Sequence, residues 1–128
     1  MSERVLRATL YFSFFYNMFG AATFFLPADF GRSAGLPINV PFLHTAFLAN
    51  NILLFGFVSL WLARQRKIDV PLLVVFGISK ITFCAIMLIS YLKGEIALMG
   101  FWGSCVDLVM GLIFLQSARM LDDKSASH

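Results

Sequence analysis

Four long apolar stretches constrain this chain more than any other feature it has. They cover residues 8–28, 42–63, 70–92 and 96–118, and Lys80 and Asp107 are the only charged residues inside them. A hydrocarbon core needs about 20 such residues in a single helix, so each stretch is long enough to cross one. Strands do not fit, because barrel strands run to about 10 residues with polar side chains at alternate positions. No such alternation is present.

Composition points the same way. Of 128 residues, 59% are hydrophobic and 13% charged, about half the charged share of an ordinary soluble domain. A folded domain of this size still exposes roughly a third of the area of its unfolded chain, so the apolar residues need a solvent other than water. The length allows one domain only. Net charge is +3, but the basic residues stand at segment ends without interleaved aromatics, which argues against nucleic acid as a partner. The predicted architecture is therefore all-α, an integral membrane four-helix antiparallel bundle in one domain, with the lipid bilayer around it.

The connections set the topology. An outer loop at 29–41 carries Gly31, Gly35, Pro37 and Asn39, which forbid a continued helix. Arg64, Gln65, Arg66, Lys67, Ile68 and Asp69 form a basic turn, and Lys93, Gly94 and Glu95 make a connection short enough to force an antiparallel hairpin. The polar tail at 121–128 is expected to fray. Arg4, Arg7, Arg64, Arg66, Lys67, Arg119 and Lys124 fall on one side, against Arg32 and Lys93 on the other. Cytoplasmic loops retain positive charge, so both termini are expected in the cytoplasm. The first apolar run exceeds the 7–15 residues of a signal peptide core, and it reads as a retained helix.

The strongly polar residues meet at one depth. Lys80 precedes the short connection at Lys93 and Gly94 by as many residues as Asp107 follows it, and Asn17 and Asn50 stand symmetrically about the outer loop, with Asn51 beside them. A lone Lys or Asp at the bilayer centre costs about 2.5–3.5 kcal/mol. Lys80 and Asp107 are therefore expected to pair inside the bundle, with Asn17, Asn50 and Asn51 completing a buried polar cluster. Around them, Gly20, Gly77, Gly100, Gly103 and Gly111 are candidate helix-packing positions, several at the 3–4 residue spacing that keeps side chains on one face. Two readings of the cluster compete. In one, a buried pair and its amides fix helix register; in the other, they line a small cavity, as midplane ionisable groups do in transporters and proton relays.

Other chemistry-bearing residues point less far. Cys84 and Cys105 lie in apolar stretches with no Cys-x-x-Cys pair and read as small buried side chains, with a thiol pair as the alternative. His44 has no second ligand at helical spacing, so no metal site is expected. Tyr11, Tyr16, Trp61, Tyr91 and Trp102 read as interfacial anchors. No residue pattern names a cofactor or a catalytic group.

The basic start at Arg4 and Arg7, Gly20 in an aromatic first helix, the Leu26-Pro27 exit into a Gly/Pro loop, the Lys80 helix and the region from Gly103 to Asp107 together resemble the small four-helix bacterial membrane proteins called DoxX-like. The likeness spans most of the chain through its layout. It implies an inner-membrane location. Some members of that group are linked to thiosulfate and quinone chemistry or to oxidant defence, but no catalytic motif of theirs maps onto residues here.

Three functions are compatible with these features. The leading expectation is a non-enzymatic accessory or scaffold bundle, whose partner is a second copy or another membrane protein. The second is a small proton-linked carrier using Lys80 and Asp107, and the third a quinone- or thiol-linked oxidoreductase subunit using Cys84 and Cys105.

Overall fold

The computed structural model describes residues 2–126, and every regular element in that span is helical. The elements are α1 (Glu3–Phe25), α2 (Pro27–Phe30), α3 (Phe42–Arg64), α4 (Val70–Leu92) and α5 (Leu98–Ala126). Among them α3, α4 and α5 are long and apolar enough to cross a membrane. The first helix has the length but is not one of these, since its stretch is diluted by Thr9, Tyr11, Ser13, Tyr16 and Asn17.

Local chemistry explains the helix ends. Ser2 caps α1 by accepting from Val5 N, and Glu3 bonds Arg7 one turn on at 2.6 Å. The helix therefore begins at Glu3, before the apolar stretch that starts at residue 8. It stops at Phe25 because Pro27 removes a donor and holds the preceding residue out of the helical region; Leu26 has φ −127°. The same proline then opens the short α2, which straddles the end of the first apolar stretch and the start of the loop. Asp69 caps α4 through Leu72 N at 2.9 Å, and Gly94, with φ +76°, reverses the chain after it.

The last helix departs from expectation at both ends. It starts at Leu98, not 96: Ala97 stands at the cap, its carbonyl accepting from Gly100 N and Phe101 N and its free N–H donating to Ala34 O of the outer loop at 3.0 Å. It also continues to Ala126, so the tail is helical where fraying was expected. No Gly or Pro follows Gly111 to stop it, and Leu121 packs against the main core. Residues 127 and 128 of that tail lie outside the described residues.

Packing divides the molecule into two antiparallel pairs, α1 with α3 and α4 with α5, with sparse contact between the pairs. In the first pair Arg7 Nη1 donates to Ala63 O and Gln65 O, Ser59 Oγ donates to Leu10 O, and Asn17 Nδ2 donates to Ile52 O. In the second, Gly77 and Gly111 meet back to back: a Cβ on Gly111 would stand 2.8 Å from Gly77 O, and one on Gly77 3.1 Å from Gly111 O. The two pairs are joined at the end near the termini by a core that includes Leu6, Leu10, Leu62, Leu73, Phe76 and Phe114. At the opposite end a smaller cluster of Leu36, Met87 and Ile96 joins the outer loop, α4 and the segment that leads into α5.

The outer surface is apolar. Phe15 and Phe19 on α1, Phe47 and Phe57 on α3, Val75 and Ile86 on α4, and Val109 and Leu112 on α5 are each more than half exposed. Apolar area of that extent is not left facing water by a soluble monomer. With three helices long and apolar enough to span a membrane, the chain has the character of a helical membrane protein, and its surface is compatible with contact with a lipid bilayer.

Candidate functional site

Between the two joined ends the helix pairs stand apart, and the gap is a cavity of about 740 Å³. Its floor is polar. Lys80 Nζ on α4 donates to Asp107 Oδ1 on α5 at 2.6 Å and to Asn17 Oδ1 on α1 at 3.0 Å. The aromatic face of Phe76 lies under the same ammonium, 5.3 Å from ring centroid to Nζ, a distance at which ring and cation attract. Asn17 is held in turn by its bond to Ile52 O. One lysine thus links the α4–α5 pair to the α1–α3 pair.

The cluster is buried yet not sealed. Lys80, Asp107 and Asn17 all line the cavity, and the Asp107 side chain keeps 10% of its surface. Nζ carries three hydrogens, two of which are used by the bonds named above. Asp107 Oδ2 accepts no hydrogen bond among the described residues. One turn beneath Asn17, Ser13 Oγ is buried without a partner among the described residues.

The walls above the floor are mostly apolar and aromatic. On one flank Leu48, Ile52 and Phe55 of α3 face Phe83 and Ile86 of α4; on the other, Phe19 of α1 faces Met99 and Trp102 of α5. The second flank is crossed by a hydrogen bond from the Tyr16 hydroxyl to Gly103 O. No hydrogen bond between α3 and α4 crosses the first flank among the described residues. Asn51, Ser79 and Thr82 add polar atoms along it, and Asn51 Nδ2, Ser79 Oγ and Thr82 Oγ1 each bond a carbonyl of their own helix. A roof is made by Phe30, Ser33, Ala34 and Leu36, pinned where Gly35, at φ +68°, brings the loop against Ala97.

Of the five polar residues expected to cluster, three come together: Lys80, Asp107 and Asn17. Asn51 is partly buried and lines the cavity without bonding to the others. Asn50 is exposed, which corrects its place in a buried cluster. The buried seam of α3 runs through Ala49, Gly56, Ser59, Leu62 and Ala63, and successive residues turn about 100° around the axis. Sequence symmetry placed Asn50 at the right height but not on that seam.

The glycines divide likewise. Gly77, Gly100 and Gly111 sit where an added Cβ would press on backbone, Gly100 against Ala34 O at 2.8 Å. Gly20 and Gly103 have ordinary room, their nearest neighbours being 3.5 Å from an added Cβ. Gly56, absent from the expected set, is tighter than either, against Met18 and Asn17.

The remaining residues singled out in the sequence are placed as follows. Tyr16, read as an interfacial anchor, lines the cavity, and Trp102, read likewise, lines it while also remaining 58% exposed. The signal was available, since Tyr16 adjoins Asn17 at mid-helix, too deep for a bilayer interface. Cys84 is buried and Cys105 partly so, both free thiols, and Cys84 Sγ accepts from Ser104 Oγ at 3.7 Å. His44 is exposed at the start of α3.

Fold and site together describe a helical protein of membrane character with an open cavity between its helix pairs that ends on a buried ion pair. Comparison with protein-family models, curated proteins and solved structures finds no match.

Proposed function

We propose that this protein is a four-span bundle that takes a small amphiphile from the bilayer into its cavity and holds the polar end at Lys80, Asp107 and Asn17. The observation that carries this reading is the cavity itself. Its volume of about 740 Å³ lies in the range of small-molecule sites, which are largely apolar with a few convergent polar groups. A pair that served only to fix helix register would need no open space beside it. A scaffold role also needs none, and a proton-linked carrier would use the same pair with a bound solute.

The fourth span is α1. It carries no charge from Ala8 to Phe25 and lies along α3 from Arg7, bonded to Ala63 O, to Gly20, beside Ile52. Those bonds also put the N-terminal arginines at the same end as the basic turn. Arg4, Arg7, Arg64, Arg66, Lys67, Arg119 and Lys124 then mark a cytoplasmic face, and the resemblance to DoxX-like proteins favours a bacterial inner membrane. Ligand passes between α3 and α4, the flank that no hydrogen bond crosses.

Trp102 lines the cavity and Trp61 does not, although both are 58% exposed. Energy transfer from tryptophan to pyrene compounds dissolved in nanodisc lipid should contain a saturable component that Trp102→Phe removes and Trp61→Phe leaves. Transfer that rises only linearly with pyrene content would discard the reading.

A further inference from the structure

The geometry points to an uncharged ligand that carries a hydroxyl group, an alcohol or phenol on an apolar body. This inference rests on the binding reading above and narrows it to one chemical class.

Charge comes first. Lys80 and Asp107, 2.6 Å apart, cancel at the cavity floor, and Asn17 adds no charge. A third ion brought to the middle of the membrane would have no counter-charge of its own. A carboxylate drawn to Lys80 would stand against Asp107, and an ammonium drawn to Asp107 would stand against Lys80. The cost of an uncompensated charge at this depth is several kcal/mol, which disfavours both ionic classes.

Hydrogen bonding comes second. Two of the three Nζ hydrogens are taken by Asp107 Oδ1 and Asn17 Oδ1. One donor remains on Lys80, and one acceptor oxygen, Oδ2, remains on Asp107. The two belong to groups already in contact, so a single ligand atom that both accepts and donates satisfies them together. A hydroxyl oxygen does this. An ether or ketone oxygen accepts from Lys80 but leaves Asp107 Oδ2 unpaired, and an unpaired buried polar group loses its hydration without return.

The rest of the cavity fits the rest of such a molecule. Phe55, Phe83, Phe19 and Trp102 present aromatic walls to an apolar body. Asn51, Ser79 and Thr82 along the α3–α4 flank offer polar atoms to a hydroxyl moving from the bilayer to the floor.

A panel of pyrene probes with one body and different heads tests this on the unmodified protein in nanodiscs. The panel comprises 1-pyrenemethanol, its methyl ether, pyrene-1-carboxylate, pyrenemethylammonium and 1-methylpyrene, each followed by the saturable component of energy transfer from tryptophan. The alcohol should bind about tenfold or more tightly than every other member, the scale of one or two hydrogen bonds in a buried site. Saturable binding with equal affinities, or with the ether equal to the alcohol, would overturn the hydroxyl assignment while leaving the binding site standing. Tightest binding by the carboxylate or the ammonium would overturn it too, by showing that the floor carries net charge. No saturable binding by any probe would remove the binding reading and this inference together.

Discussion

Lys80 Nζ stands 2.6 Å from Asp107 Oδ1 at the floor of an open cavity, not within the packed core. The core of Leu6, Leu10, Leu73 and Phe114 lies to one side of the pair, and the space lined by Phe55, Phe83 and Trp102 to the other. The pair therefore serves two neighbours at once. It holds α4 to α5, through Asn17 it holds both to α1, and it offers unused hydrogen-bonding positions to whatever fills the cavity.

Removing one partner should cost more than removing both. Breaking a buried pair leaves an uncompensated charge and typically costs about 3–5 kcal/mol, whereas replacing both members with apolar groups is often near neutral. Lys80→Met and Asp107→Leu should each lower stability by about that amount in a denaturation titration followed by circular dichroism. The double variant should regain most of the loss. Strictly additive losses would mean that the two groups are not coupled.

The ligand route gives a kinetic expectation. Leu48 and Ile86 line the α3–α4 flank and Met99 the opposite one. Leu48→Phe combined with Ile86→Phe should slow association of 1-pyrenemethanol several-fold in stopped-flow energy transfer, with dissociation slowed alongside. Met99→Phe should leave both rates within about twofold. The reverse pattern would place the opening between α1 and α5.

The glycine contacts separate two kinds of substitution. Gly111→Ala would put a methyl 2.8 Å from Gly77 O and 3.3 Å from Lys80 Cβ. Overpacking of this sort costs about 1–3 kcal/mol, and here it should also weaken probe binding by displacing Lys80. Gly20→Ala meets only Ile52 Cγ2 at 3.5 Å, so its unfolding midpoint should match or exceed that of the parent. Equal effects at the two positions would contradict the back-to-back packing of α4 and α5.

Arg7 makes a fourth case. Its Nη1 donates to Ala63 O and Gln65 O, both at 2.7 Å, at the carboxyl end of α3 where carbonyls lack helical partners. Arg7→Ala should cost about 1–3 kcal/mol in the same titration, the range for hydrogen bonds to a charged group. Arg7→Lys should recover only part of that, because an ammonium lacks the planar fork that reaches several carbonyls at once. Full recovery would indicate that charge alone matters.

Much of this protein could be read along the chain, because hydrophobic length and breaker residues act locally. The four apolar stretches became the four long helices, Pro27 ended the first, and Gly94 turned the hairpin that sets Lys80 beside Asp107. Depth was legible for the same reason, since rise per residue is constant in a helix. Rotation about each helix axis was not. It depends on which faces pack against partners, and so Asn17 reached Lys80 while Asn50 turned outward.

What the amino-acid order determined alone was the apolar character and number of the long helices and the level along them at which polar groups lie. Tertiary structure alone decided how the two hairpins, α1 with α3 and α4 with α5, meet: they close at their ends and part between them. The physical reason is that a cavity belongs to no residue: it is the volume left when side chains from four helices and a loop fail to meet. Its floor became a site because Lys80, Asp107 and Asn17 border that volume.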